Sequence, residues 1–316
     1  MRLAYFGTPA DAVPPLEALV RAGHDVVLVV TQPDRRRGRG KGVDPSPVKT
    51  AATELGLTVL TPERAREVVD AVAASGAELG VVVAFGQILP SALLDAPPLG
   101  FVNLHFSLLP RWRGAAPVER AMLAGDAETG VAVMAVEPSL DTGPVYAEER
   151  VGIDPDESAG ALRARLVQIG ADLLVRTLPR IADIQPRVQE GEPTYAEKLR
   201  VDEFELRPRS TVGELLRLVR AGNPKPGAWF ELDGVRVKVW RAHAAEPGDE
   251  AGAHAADPAD EPVGTITRDG SLVAADGLLA LDEVQPAGKR PMVGADWRRG
   301  LGSDPALVTP AGEDVP

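Results

Sequence analysis

Apolar positions in the first half of the chain form short runs separated by amphipathic stretches. Arg2–Phe6, Asp25–Thr31, Leu79–Phe85 and Phe101–Phe106 each carry apolar residues on both faces. Strands without strict alternation belong to parallel sheets covered on both sides. Between them, the spacing predicts helices over Ala12–Ala22, Pro47–Leu55 and Glu63–Ser75. Val131–Val136 and Val145–Val151 read as a hairpin-like pair, and Ser158–Ile184 as a long helical region. This alternation predicts an α/β unit, Rossmann-like in outline, with a mostly parallel sheet.

The pattern breaks over Gln189–Val201, which is polar and contains Gly191 and Pro193. A helix is predicted at Thr211–Ala221, followed by short strands. Ala228–Leu232 and Val235–Trp240 flank Asp233-Gly234, a tight-turn dipeptide. Gly264–Arg268, Ser271–Ala275 and Leu278–Val284 continue the series. Closely spaced short strands of this kind make a small barrel or sandwich. Glu246–Pro262 is acidic, rich in Ala and Pro, and aperiodic, as expected of a loop inserted between strands. The expected domains are therefore residues 1–188 and 204–316, joined by a linker over 189–203.

Composition narrows the chemistry. The 316 residues include no cysteine, which removes disulfides, thiolate metal sites and cysteine nucleophiles. Hydrophobic residues make up 44% and aromatics only 4%, so the core must rest on Ala, Val and Leu. No apolar run approaches the ~18 residues of a membrane span. The N-terminus lacks the pattern of a secretory leader, so a cytoplasmic protein without a membrane partner is expected. Net charge is −12, which in itself disfavours a nucleic-acid partner. Arg35–Lys41, however, carries five positive charges in seven residues. The three-glycine dinucleotide fingerprint is missing after the first strand, where Gly7-Thr8-Pro9 offers one glycine, so no nicotinamide cofactor is expected. Gly38–Gly42 lacks the spacing of a phosphate loop. No G-x-S-x-G elbow occurs, and the four histidines are too scattered for a metal site.

One segment carries candidate chemistry. Residues 103–117 read N-L-H-F-S-L-L-P-R-W-R-G-A-A-P. On an extended chain Asn103, His105 and Ser107 share a face, at the C-terminal end of a buried strand where α/β sheets place ligands. A neutral amide and an imidazole can together polarise a carbonyl and hold an oxyanion. Asp141, in Leu140-Asp141-Thr142-Gly143-Pro144, follows another strand and could accept a proton. By pattern alone, a hydrogen-bonded core histidine and a turn-forming aspartate fit these positions as well.

The run H-F-S-L-L-P-R-W-R-G-A-A-P, with the preceding Asn and the later L-D-T-G-P, resembles the signature of the folate-dependent formyltransferases. The resemblance extends over nearly the whole chain. It implies that Asn103, His105 and Asp141 are catalytic, and that Ser107, Leu108, Leu109 and Pro110 contact the folate. It further implies a pterin-binding loop that includes Phe85, Gly86, Gln87 and Ile88, although read alone that loop is an ordinary strand end. The co-substrate would be 10-formyltetrahydrofolate, with no metal. Asn223–Trp229, Val237–Trp240 and Val284–Met292 match the family's OB-like barrel. The implied fold is an α/β Rossmann-like N-terminal domain with a small C-terminal OB-like β-barrel. Phe204–Ser210 departs from the family, which usually has an acidic residue followed by Trp there.

Within the family, the chain most resembles members that formylate initiator methionyl-tRNA. In those members a basic loop at this place enters the acceptor stem, which assigns Arg39 and Lys41 to the nucleic acid. Seven basic residues of the C-terminal region, Arg236 to Arg299, could line one barrel face. The resemblance implies a monomer. The alternative substrate is an amino-sugar nucleotide. A third reading, an RNA-binding protein on an inactive scaffold, is disfavoured by the intact Asn103, His105 and Asp141.

Overall fold

A computed structural model describes residues 1–36, 43–245, 261–302 and 306–309. The chain divides into two compact units. One holds Met1–Val118, Ala127–Ile153 and Leu162–Glu197; the other holds Glu119–Asp126, Asp154–Ala161 and the chain from Lys198 onward.

The first unit is built on seven strands: β1 (Arg2–Gly7), β2 (Asp25–Val30), β3 (Val59–Leu60), β4 (Leu79–Val83), β5 (Phe101–His105), β6 (Glu128–Ala135) and β7 (Val145–Gly152). Their spatial order is β7-β6-β5-β4-β1-β2-β3. Strands β1 to β5 are mutually parallel, β6 runs antiparallel to β5, and β7 runs antiparallel to β6. Helices pack against the sheet, and Leu3, Ala4, Tyr5 and Phe6 are all fully buried. This is the burial that the uninterrupted apolar runs predict. Phe6 meets Phe85 and Phe101 edge to face, at ring-centroid distances of 5.3 and 5.2 Å. Strand order reverses between β1 and β4, the place at whose carboxyl ends open α/β sheets put their binding crevice. Strand β5 lies beside β4 and ends at His105.

Two helix predictions are shortened. Over Glu63–Ser75 the chain forms a 3-10 turn at Ala65–Val68 and an α-helix only over Val69–Ser75. The Ser158–Ile184 region is helical over Ala159–Thr177 and then tightens to 3-10 at Leu178–Arg180. Pro179 has no N–H to continue the α-ladder. The aperiodic Gln189–Val201 stretch contains a short strand, Tyr195–Ala196, paired in parallel with Arg113–Gly114.

The second unit contains β8 (Ala228–Leu232), β9 (Val235–Ala244), β10 (Thr265–Ile266), β11 (Ser271–Val273), β12 (Leu278–Pro286), β13 (Met292–Val293) and β14 (Ala306–Thr309). The order β9-β8-β14-β10-β11-β12 closes through a β12–β9 pairing into a six-stranded antiparallel barrel, with β13 added beside β12. Closure removes the exposed edges that an open sheet would present. Asp233 and Gly234 both have positive φ, 50° and 72°, the conformation of a type I′ hairpin turn. Phe230, Val239, Leu279 and Trp297 fill the core against the helix Val212–Gly222. That helix starts at a capping box formed by Thr211 and Glu214. In the segment that departs from the family, Phe204 is fully buried; outside it, Trp229 donates its indole N–H to the Val201 carbonyl at 2.9 Å. No helix among the described residues is long and apolar enough to cross a membrane.

Within this unit Glu203 pairs with Arg120, whose Nη2 donates to both carboxylate oxygens at 3.1 Å. Burial pushes the Glu203 carboxyl up. The Arg200 backbone amide and the Arg120 guanidinium together outweigh it and hold the group below 4.5. A carboxyl lowered in the folded state contributes stability above its unfolded pKa and loses it as pH falls through the folded value. Glu203→Gln should therefore lower Tm at pH 7. The gap from the parent should close as pH falls below about 4.5, as followed by thermal unfolding across that range.

Candidate active site

Strand β5 delivers two of the three candidate catalytic side chains. Asn103 and His105 lie on one face because strand residues alternate, while Leu104 turns to the other face and packs on Gly170. His105 is 5% exposed. Its Nε2 lies 2.9 Å from the Trp112 carbonyl oxygen. A carbonyl only accepts, so Nε2 carries a proton and Nδ1 is the nitrogen left for chemistry. Nδ1 faces Asp141 Oδ2 at 3.8 Å, within ion-pair reach but beyond hydrogen-bond length. Among the described residues the Asn103 carboxamide has no hydrogen-bond partner, so its donors are open to a ligand.

Asp141 reaches this position through a turn after β6. Its φ is +51°, a left-handed conformation that Asp tolerates better than most residues. Oδ2 accepts the Gly114 N–H at 2.8 Å, and Oδ1 is left over. Gly143 lets the turn close, because a Cβ there would overlap the Ala135 carbonyl. Ala84 and Trp112 also have positive φ, 49° and 61°. Ala84 follows β4 at the crevice and Trp112 holds His105. Backbone strain of this kind is a recurrent feature of functional sites.

The candidate folate residues divide by burial. Ser107 is fully buried and donates its hydroxyl to the Arg111 carbonyl at 2.6 Å. Leu109 is buried with Ala132, Met134 and Val145. These two shape the loop from within, while Leu108 and Pro110 remain partly exposed. In the other loop, Phe85 is buried against Phe6, and its carbonyl accepts from Thr8 Oγ1 at 3.1 Å and from Gln32 Nε2 at 2.8 Å. The Gln87 side chain bonds the Ala65 amide at 2.7 Å. Gly86 is exposed with φ +81°, and Ile88 is 83% exposed. The loop thus presents Gly86 and Ile88, an open backbone and an apolar face, to any ligand. Thr8, Gln32, Trp112 and Gly114 have structural roles here that strand periodicity does not signal.

Arg39 and Lys41 lie outside the described residues. The flanking Arg35–Arg36 and Val43–Asp44 pair antiparallel. Among the basic barrel residues, Arg298 does not face solvent. It is 2% exposed and donates to the Thr267 and Gly302 carbonyls at 2.7 Å. The hydropathy pattern misplaces it because a buried guanidinium needs only carbonyl partners, which a sequence does not reveal. Arg236 stacks on Trp229, with 3.7 Å between guanidinium carbon and ring centroid. No cluster of three or more His, Cys, Asp or Glu suited to a metal occurs among the described residues.

The family described as Formyl transferase matches residues 1–178, and its C-terminal domain matches residues 198–302. A methionyl-tRNA formyltransferase of Thermus thermophilus is 48% identical over 307 residues, covering 96% of this chain and 98% of that protein. The chain belongs to the methionyl-tRNA formyltransferase family. One from a Methylobacterium species is 46% identical over 315 residues, covering 96% of this chain and 98% of that protein. More distantly, the crystal structure of a Helicobacter canadensis N-formyltransferase in complex with folinic acid and dTDP-3-aminofucose shares the fold. It superposes with a TM-score of 0.63 at 16% identity, covering 91% of this chain and 99% of that one.

Gly114 tests the local account. Its φ is +121°, and a Cβ would lie 2.7 Å from the Ala196 carbonyl oxygen. Gly114→Ala should cost about 1–3 kcal/mol in urea unfolding. It should also slow formyl transfer, because the displaced amide is the one that holds Asp141.

Proposed function

We propose that the chain transfers the formyl group of 10-formyltetrahydrofolate to the amino group of methionyl initiator tRNA. The observation that supports this chemistry is the buried His105 facing Asp141 across 3.8 Å beside the open Asn103 carboxamide. A formyl oxygen needs donors, an attacking amine needs a proton acceptor, and a pterin needs a flat apolar surface. Asn103 and His105, Asp141 Oδ1, and the Gly86–Ile88 loop fit these needs in turn.

In this reading Asn103 and protonated His105 donate to the formyl oxygen as it gains charge. The bond from the amine nitrogen to the formyl carbon forms, and the bond from that carbon to the folate nitrogen breaks. Asp141 takes the proton that the amine loses, and the departing folate nitrogen is protonated in return, so the site ends as it began. The Trp112 carbonyl and the Gly114 amide keep the two groups in place without consuming Nδ1 or Oδ1.

The choice of methionyl-tRNA over an amino sugar rests on the relatives. Those named for methionyl-tRNA share up to 48% identity over 96% of this chain, against 16% for the sugar enzyme. Arg39 and Lys41, in a dense basic run on an otherwise acidic chain, fit a contact with tRNA phosphates. Two compact units joined near residues 189–203, acting as a monomer, complete the proposal.

Single-turnover mixing with 10-formyltetrahydrofolate and charged initiator tRNA should yield formylmethionyl-tRNA. A dTDP-amino sugar in its place should yield no product; formylation of the sugar alone would refute the assignment. His105→Ala and Asp141→Asn should each slow transfer by about 10²–10⁴-fold. Neutralising Arg39 and Lys41 together should raise the KM for tRNA and flatten its salt dependence, measured between about 50 and 200 mM salt.

A further inference from the structure

We infer that Gln189 is a positioning residue for the formyl transfer, clamping the Asp141 turn to Arg113. It lies outside the signature segments and would be read as part of a linker. Its carboxamide oxygen accepts from Arg113 Nε at 3.0 Å and from Arg113 Nη2 at 2.7 Å. Its nitrogen donates to the carbonyl oxygens of Asp141 at 2.9 Å and Gly143 at 2.8 Å.

All four hydrogen-bonding positions of the amide are thereby used. The orientation is unambiguous, because a guanidinium only donates and a carbonyl only accepts. A glutamine with the same two-sided demand has no isostere. Glutamate would keep the Arg113 side and lose both carbonyls, and leucine would lose everything. The two carbonyls belong to the turn in which Asp141 is held at φ +51°. Arg113 adjoins Gly114, whose amide binds the Asp141 carboxylate. One side chain therefore ties the backbone of the catalytic turn to the loop that grips its carboxylate.

The segment carrying Gln189 is anchored on its own at both ends. Arg187 and Val145 exchange two backbone hydrogen bonds at 2.8 Å. On the other side Thr194 accepts the Trp112 amide at 2.9 Å, and Ala196 accepts those of Ala115 and Ala116. Replacing Gln189 should thus leave the segment in place and loosen the turn alone. Misplacing a catalytic group by about 1 Å costs on the order of 10²-fold.

The inference rests on the reading of Asp141 as proton acceptor, and the test separates the two. Single-turnover rates, KM for both substrates and the pH–rate profile are measured for Gln189→Glu, Gln189→Leu, Asp141→Asn and the double variant Gln189→Leu/Asp141→Asn. Both Gln189 variants should lose about 10–100-fold in rate, with each KM within about twofold and an altered pH–rate profile. In the Asp141→Asn background, Gln189→Leu should cost little more, as expected of groups acting as one unit. Near-normal rates in both Gln189 variants with a slow Asp141→Asn would overturn this inference alone. Full additivity in the double variant would do the same. A near-normal Asp141→Asn would overturn the reading of Asp141 and this inference with it. Should Gln189→Leu fail to fold, Gln189→Glu decides alone, since it keeps the Arg113 bonds.

Discussion

The site depends on holding a carboxylate within ion-pair reach of a buried imidazole while keeping the two from closing on each other. At 3.8 Å, His105 Nδ1 and Asp141 Oδ2 are within ion-pair reach but beyond hydrogen-bond length. Each is restrained from behind by a backbone group: the Trp112 carbonyl for the ring and the Gly114 amide for the carboxylate. Backbone partners cost little side-chain entropy and do not titrate, so they fix geometry while leaving Nδ1 and Oδ1 unengaged by them. The signature loop supplies both restraints. Its Gly114 and Trp112, both at positive φ, are the positions that supply them.

The rest of the first unit serves this arrangement. Strand order reverses at β1 and β4, and β5 lies beside β4 with His105 as its last residue. Antiparallel β6 brings the chain back alongside β5, so the turn after it can present Asp141. Segment 187–196 then crosses the signature loop and fastens it by backbone pairing. Pairing of that kind joins residues roughly eighty positions apart in sequence.

Legibility follows the range of the forces involved. Strand alternation is local, so Asn103 and His105 could be placed together from sequence, as could the buried parallel strands around Phe6 and the Asp233-Gly234 turn. Asp141 could be joined to them only by family resemblance, because no periodicity links residues that meet through two loops. Ser107 and Leu109 belong to the signature yet spend their side chains on the protein itself, one on the Arg111 carbonyl and the other in the core. Arg298 looked like surface charge and is buried among carbonyls. Gln189 gave no signal, since a saturated amide differs from a solvated one only in what surrounds it.

The tautomer of His105 tests the arrangement most directly. Nitrogen-15 NMR of the imidazole-labelled protein reads each ring nitrogen separately. The geometry predicts a neutral ring that carries its proton on Nε2 and leaves Nδ1 bare. A neutral ring protonated at Nδ1, with Nε2 bare, would contradict it, because the Trp112 carbonyl would then face a lone pair.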